Sequence, residues 1–151
     1  MPAYSFQQRF VPLVKEGSKR HTIRARRKHV PKPGSTLQLF SAMRTKYCTR
    51  IMDAPFKKIR TIIITESEIY IVWMRLSDSQ VCEVYDELTQ GKSISWLANP
   101  LGGKQREDLA WKDGFRQQGS TARKTAGSFD LMLRWWKTTH ELPFIGDIIY
   151  W

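Results

Sequence analysis

Alternating and β-branched residues dominate the first half of the chain. The strongest β pattern lies at 57–76, where two β-branched runs flank the polar stretch TESE and predict a hairpin or two adjacent strands. Weaker alternation predicts three more strands, in RHTIRAR, STLQLFSAM and YCTRIMDAP, with Leu37 and Leu39 on one face. A turn is predicted at 31–34, PKPG, between the first two of these strands.

Helical patterns dominate the second half. After Ser77 or Asp78 as N-cap, apolar residues recur at helical spacing until Gly91, which predicts a helix in SDSQVCEVYDELTQG. A short helix in QREDLAWKDGF ends at Gly114, and SFDLMLRWWKTTHEL predicts three to four helical turns. A further short helix, with Pro12 in its first turn, precedes Gly17. The last residues, PFIGDIIYW, predict a closing strand.

This order of elements defines the expected fold class. Strands come first, helices follow and a strand returns at the end, so there is no βαβ alternation. The pattern predicts an α+β fold in which a curved sheet or barrel is closed by the C-terminal strand and decorated by helices. The 151 residues fit one domain, 1–151. The stretch at 116–127, RQQGSTARKTAG, is predicted to be mobile.

Composition narrows the class of protein. No apolar run approaches the ~20 residues of a membrane span, and the start, MPAYSFQQRF, does not resemble a signal peptide. We therefore expect a cytoplasmic protein that does not enter the membrane. Cys48 and Cys82 form no CxxC motif and have no metal-like spacing to the three histidines, so we expect two buried free thiols, no metal and no cofactor.

The distribution of charge along the chain indicates a class of partner. The net charge is +11, and its distribution is uneven. Residues 1–60 contain 15 Lys or Arg against two acids, a net +13, whereas residues 61–151 contain 10 against 12, a net −2. Such asymmetry favours a polyanionic partner, and nucleic acid is the commonest one because each neutralised phosphate releases counterions.

Three stretches together resemble the signature of the ASCH domain, a member of the PUA-like superfamily. The first is RFVPLVKEGSKRHTIRARRKHVPKPGSTLQLFSAMRTKYC, with a helix ending in Gly, a G-x-K-x-x-T-I-R element and a P-x-x-G-[ST]-x-L element. The matching residues are Gly17, Lys19, Thr22, Ile23, Arg24, Pro31, Gly34, Ser35 and Leu37. LAWKDGF resembles the family's acidic residue before Gly-Phe, and LPFIGDIIYW its closing strand.

The resemblance implies a structure and a set of functions. It implies a small PUA-like β-barrel of about five to six strands, decorated by three to four helices, with a cleft that serves RNA or nucleosides. One branch of the family removes acetyl from N-acetylcytidine with a Lys, a Thr and an acid. These match Lys19, Thr22 and Asp113, where that branch carries Glu. Another branch is metal-dependent ribonucleases.

The residues themselves allow this chemistry. Alternation in the strand predicts Thr22, Arg24 and Arg26 on one open face, and His21 with Ile23 on the other. A Thr hydroxyl needs a base, and Lys19 serves if burial and nearby cations keep its amine neutral. Asp113 would then orient the lysine or accept a proton. The alternative is an ordinary strand threonine, a solvated lysine and a carboxylate that ends a helix.

The remaining cations are candidates for nucleic-acid binding around a basic cleft formed by residues 15–32. Arg24 is expected in the pocket, and a guanidinium can hold a phosphate with two parallel hydrogen bonds. The expected backbone contacts are Arg26, Arg27 and Lys28, and Arg20 is a further candidate for nucleic-acid binding. Arg44, Lys46 and Tyr47 form a loop that could stack a base and hold its phosphate, although Tyr47 equally fits a core. The alternative for the whole segment is a solvated basic surface.

Three functions follow. The first is binding of RNA or another nucleic acid without catalysis. The second is an amidohydrolase that acts on a modified nucleoside such as N-acetylcytidine, with Thr22 as nucleophile, Lys19 as base and Asp113 in support. The third is a ribonuclease that uses His21 or Lys19 for proton transfer. A free-nucleoside enzyme does not need a net +13 in 60 residues, so the charge favours a polymeric partner.

Overall fold

The structure is a computed structural model that describes residues 1–116 and 127–151. Its strands are β1 (Ala3–Phe6), β2 (His21–Arg24), β3 (Thr36–Ser41), β4 (Thr49–Pro55), β5 (Lys58–Ile64), β6 (Ile69–Ile71) and β7 (Phe144–Tyr150). Its helices are α1 (Val11–Lys15), α2 (Asp78–Thr89), α3 (Gly103–Lys112) and α4 (Ser128–Thr139), and a 3-10 helix, Gln8–Phe10, precedes α1.

The strands form two sheets. The first has the order β1-β3-β4, with β1 parallel to β3 and β3 antiparallel to β4. The second is antiparallel, with the order β2-β7-β5-β6. The predicted α+β class is confirmed. Within the described ranges there are seven strands, one more than the sequence suggested, and no ladder joins the two sheets into a closed barrel.

Most predicted elements are confirmed. The run at 57–76 folds into the β5–β6 hairpin. Helix α2 begins after Ser77, whose hydroxyl accepts a hydrogen bond from the backbone N–H of Gln80. The helix before Gly17 and the helix ended by Gly114 are also present, and both glycines have positive φ angles, 78° and 105°. Strand β1 was not predicted. Most of the stretch expected to be mobile, residues 117–126, lies outside the described residues.

The second sheet is buried on both faces, because α3 and α4 cover one face and the first sheet together with α2 covers the other. Neighbouring residues of β7 show this: Ile148 packs in a core with α4 residues such as Met132, whereas Ile149 packs in a core with Tyr4 of β1. Leu37 and Leu39 of β3 are fully buried in this second core, which confirms that they share a face. Both faces of β7 therefore lose water on folding.

Gly146 of β7 permits a close approach between β2 and β7. A Cβ at this position would lie 2.5 Å from the backbone oxygen of Arg24 and 2.4 Å from the ring of Phe144. Any larger residue would push β2 away from β7. The glycine thus sets the position of the strand that carries Thr22.

A buried carboxylate fixes the segment that follows β2. Asp147 is 2% exposed and accepts hydrogen bonds from Arg75 Nε at 3.0 Å and Arg75 Nη2 at 3.1 Å. Arg26 Nη1 lies 3.4 Å from the same carboxylate, and Arg26 Nη2 donates to the carbonyl of Leu76 at 2.6 Å. The network ties the chain after β2 to the end of the β5–β6 hairpin.

Two other expectations have separate outcomes. The prediction that both thiols are buried is wrong: Cys48 and Cys82 are free but exposed. Cys48 lies in the connection before β4, and Cys82 lies on the outer face of α2, whose buried residue is Val84. As for the membrane, none of the helices described here is long and apolar enough to cross a bilayer.

We expect Asp147→Ala to destabilise the protein by about 3–5 kcal/mol, because it leaves two partly buried guanidiniums without their carboxylate. Urea denaturation measures the change. The matched control is Asp53→Ala, which removes an exposed carboxylate paired with Arg50 and should change the unfolding midpoint little. Equal midpoints for Asp147→Ala and the wild type would contradict the structural role of this network.

Candidate functional site

A cavity of about 410 Å³ opens beside β2, the edge strand of the second sheet. Its lining comes from four places: β1 and the residues after it, β2 and the residues on both sides of it, the end of α3, and α4 with the residue that follows it. The volume is in the range of small-molecule sites. The three residues predicted to be catalytic, Lys19, Thr22 and Asp113, all line this cavity.

Lys19 and Asp113 form a buried pair. Their exposed fractions are 3% and 7%. Lys19 Nζ lies 2.5 Å from Asp113 Oδ1 and donates a second hydrogen bond, of 2.8 Å, to the backbone carbonyl of Asp113. Asp113 is the C-cap of α3, and the positive φ of Gly114 turns the chain away immediately after it. The pair therefore joins the segment before β2 to the end of α3.

Burial and charge act in opposite directions on this pair. Burial lowers the pKa of the Lys19 amine, and the charges of Arg24 and Arg9 lower it further, although Asp113 opposes them. Burial alone would raise the pKa of Asp113, but the charges of Lys19 and His21, together with the hydrogen bond from Lys19, lower it to below its ordinary value. The carboxyl group is therefore ionised at neutral pH, and the amine loses its proton more readily than a surface lysine does.

Thr22 does not lie on an open face, as the sequence predicted. It is 4% exposed and pairs with Ile149 of β7, so its side chain lies on the side of the second sheet that the first sheet covers. The prediction was wrong because alternation alone does not show that a second layer covers this face. Among residues 1–116 and 127–151, no side-chain hydrogen bond engages the Thr22 hydroxyl.

His21 lies on the other face of β2, as predicted, but it is buried. Its Nε2 lies 3.3 Å from Asp113 Oδ1, in an orientation too poor for a good hydrogen bond. Its ring packs against Tyr150, with 5.8 Å between the ring centroids. His21 is not among the residues that line the cavity. It contributes to the electrostatics of Asp113 rather than to the surface that a ligand would touch.

Aromatic side chains form one wall of the cavity. Trp135 lies 5.7 Å from Phe115 and 5.3 Å from Trp136, and Trp136 lies 4.1 Å from His140, measured between ring centroids. Both tryptophans line the cavity, but Trp136 is 3% exposed and belongs to the core, whereas Trp135 is only partly buried. Sequence reasoning did not include Phe115 or His140 in the site. The sequence signal for His140 was its position one helical turn after the adjacent tryptophans.

Two buried N–H donors in this lining have no partner among the described residues. The indole N–H of Trp136 and the Nε–H of Arg24 are buried and form no hydrogen bond with any described residue. Burying such donors without a partner costs free energy, so a native structure that keeps them needs a reason. A ligand that accepts hydrogen bonds inside the cavity would supply one.

The predicted arginines are held by this protein's own backbone. Arg24 donates to the carbonyl of Ser5 and lies over the ring of Phe6 at 5.3 Å. Burial lowers the pKa of Arg24, and the nearby charge of Arg27 lowers it further. Arg27 Nη1 donates to the carbonyl of Ala3 at 3.2 Å. Arg26 also lines the cavity, but its guanidinium is engaged by the Asp147 network described above.

The other predicted contacts lie outside the cavity. Arg20 Nε donates to the carbonyl of Gly17 at 2.7 Å. Lys28 lies in an open groove of about 650 Å³ that it shares with Arg27 and Lys32. Arg44, Lys46 and Tyr47 lie together in the exposed connection between β3 and β4. Of the two roles considered for Tyr47, its 68% exposure excludes core packing.

The site contains no evident metal centre. In the part of the chain that the structure describes, no group of three or more His, Cys, Asp or Glu side chains is placed to hold a metal ion.

The chain matches no protein-family model, no curated protein and no solved structure. The chemistry must therefore be inferred from the cavity itself: a buried lysine–aspartate pair, a free hydroxyl, an aromatic wall and unpartnered donors.

We expect Lys19→Met to destabilise the protein by about 3–5 kcal/mol, because it leaves the Asp113 carboxylate buried without its amine. The double variant Lys19→Met/Asp113→Leu should recover most of this loss, because it removes both charges from the interior. Urea denaturation of the two variants and the wild type measures both changes. A double variant no more stable than Lys19→Met would contradict the unpaired Asp113 carboxylate as the cause of the loss.

Proposed function

We propose that this chain is a single ASCH-type domain of the PUA-like class that binds an unpaired nucleotide of RNA. The base enters the cavity beside β2, and the phosphates lie on the cations around its mouth. The observation that carries the proposal is the cavity itself, in which aromatic rings and unpartnered buried donors occur together next to free cations.

The cavity suits a nucleobase for two physical reasons. Aromatic side chains stack on bases of any sequence, because every base has a π face, and Phe115 and Trp135 offer rings in the lining. Bases also carry hydrogen-bond acceptors on their edges, which suit the unpartnered N–H groups of Arg24 and Trp136. A cavity of about 410 Å³ has room for one nucleoside.

The groove of Lys28 and Lys32 offers a path for the sugar-phosphate backbone. Arg27 lines both the cavity and this groove, so the two lie side by side. Neither Lys28 nor Lys32 forms an ion pair with a described residue, and their ammonium groups remain available to phosphates. This arrangement supports a strand rather than a free nucleoside as ligand, in agreement with the net +13 of residues 1–60.

Isothermal titration calorimetry with single-stranded RNA tetranucleotides tests this proposal. We expect binding that weakens as salt increases, and an affinity about 5- to 150-fold lower for Trp135→Leu, because a stacking ring is worth about 1–3 kcal/mol per base. The control is Trp96→Leu, an exposed tryptophan outside the cavity lining. Equal affinities for Trp135→Leu and the wild type would contradict binding in the cavity.

A second candidate function is hydrolysis of an N-acylated nucleoside. Three residues that line one cavity favour it. The Thr22 hydroxyl has no hydrogen-bond partner among the described residues, the pKa of Lys19 is lowered, and the Asp113 carboxylate lies next to the Lys19 amine. In the ribonuclease alternative the candidate groups were His21 or Lys19. Burial of His21 outside the cavity lining leaves that alternative without its histidine.

The hydrolytic sequence would run in two stages. The neutral Lys19 amine takes the proton of the Thr22 hydroxyl while the Thr22 oxygen attacks the acyl carbonyl. The resulting Lys19 ammonium then gives that proton to the departing amine of the nucleobase. Water then attacks the acyl-threonine ester with Lys19 again as base, which releases the carboxylic acid and restores Thr22. Asp113 holds the lysine in place and stabilises its charged form.

We expect the wild type to convert N-acetylcytidine to cytidine if this second function is present. Thr22→Val should then reduce turnover at least about 100-fold, because it removes the nucleophile while conserving volume. Thr22→Ser should retain turnover, because it keeps the hydroxyl. Chromatography of the two nucleosides measures the rate. Turnover that persists in Thr22→Val would contradict the assigned nucleophile, and no turnover by the wild type would leave binding alone.

A further inference from the structure

The connection between β3 and β4, residues 42–48, has an unusual conformation for an exposed loop. Ala42 and Arg44 both have positive φ angles, 50° and 66°, which residues other than glycine rarely adopt. Two backbone hydrogen bonds, from Thr45 N–H to the Ala42 carbonyl and from Cys48 N–H to the Thr45 carbonyl, hold the turns in place. Strained backbone of this kind is concentrated at functional sites.

This loop presents an aromatic ring to solvent together with cations. Tyr47 is 68% exposed, and Lys46 Nζ lies 5.0 Å from the centroid of its ring. Neither Arg44 nor Lys46 forms an ion pair with any residue of the described ranges. Exposed aromatic rings flanked by uncompensated cations are the usual platform for single-stranded nucleic acid, since the ring stacks on a base and the cations attract phosphate.

The loop is attached to the rim of the cavity through one residue. The Met43 backbone N–H donates to Ser5 Oγ at 3.2 Å, and the Ser5 carbonyl accepts from Arg24, which lines the cavity. Tyr47 is four residues beyond Met43, so their Cα atoms lie at most about 14 Å apart. A short strand that places one base in the cavity can therefore reach the loop.

We propose that Tyr47, with Arg44 and Lys46, is a second stacking site for another base of the strand that occupies the cavity. This inference rests on the proposed RNA binding and narrows it, since the ligand becomes an oligonucleotide rather than a free nucleotide. All charged groups of residues 42–48 are cationic, which favours a polyanionic ligand at this loop. In this proposal the cavity binds one base selectively, and the Tyr47 ring stacks on another base without regard to its identity.

The test compares a nucleoside monophosphate with a tetranucleotide of the same base, at one salt concentration, by isothermal titration calorimetry. For Tyr47→Ala we expect tetranucleotide affinity to fall about 10-fold while monophosphate affinity stays at the wild-type value. Tyr47→Phe should bind as the wild type, because it keeps the ring. The matched control is Trp73→Ala, since Trp73 is 74% exposed and lies outside both sites.

Each outcome has one meaning. Tetranucleotide affinity at the wild-type value in Tyr47→Ala overturns the second site. An equal loss for monophosphate and tetranucleotide also overturns it, because the loop would then act through the cavity. If the wild type binds neither ligand, the proposed RNA binding fails and the second site fails with it. A loss confined to the tetranucleotide and absent in Tyr47→Phe supports a stacking role for Tyr47.

Discussion

The buried Lys19–Asp113 pair is the interaction on which the site depends. Placing an ammonium and a carboxylate in the interior costs several kcal/mol for each ion, and only close geometry with additional hydrogen bonds offsets that cost. Here one amine holds both the side chain and the backbone carbonyl of Asp113. The end of α3 is thereby fixed beside β2, and α4, which packs on α3, carries the tryptophan wall into position opposite. Loss of the pair would uncouple the two halves of the cavity.

A second constraint is the gap between β1 and β2, the edges of the two sheets. The carbonyl of Pro2 accepts a hydrogen bond from Gln38 of β3, and carbonyls along a strand alternate in direction. The carbonyls of Ala3 and Ser5 therefore point away from β3. Guanidiniums from Arg27 and Arg24 satisfy these carbonyls in place of a neighbouring strand. An arginine side chain spans a wider gap than a hydrogen bond between two backbones does. These arginines therefore connect the two sheets without a continuous strand ladder. The space that remains is the mouth of the cavity.

The sequence predicted local structure better than it predicted layers. Ser77 with Gln80, Gly114, and the β-branched runs around TESE are local signals, and each fixed its element. Strand β1 has the sequence AYSF, in which no β-branched residue marks a strand. The grouping of Lys19, Thr22 and Asp113 was suggested by the family resemblance alone, since nothing local links residues 94 apart. The burial of Thr22 and the aromatic wall depend on which layers cover β2, and such long-range packing is not encoded in periodicity.

Net charge also cannot show which cations are free, and the structure separates them by chemistry. The arginines after Ile23 are held by carbonyls and carboxylates of the same chain, whereas Lys28, Lys32 and Lys46 extend into solvent without ion pairs to described residues. A guanidinium has five donors, so Arg27 can keep the Ala3 carbonyl and still offer N–H groups to a phosphate. Phosphate contacts give affinity without sequence information, and base contacts give selectivity. In the proposed RNA complex the outer lysines would therefore attract any strand, and discrimination between bases would depend on the cavity, where the donors are buried.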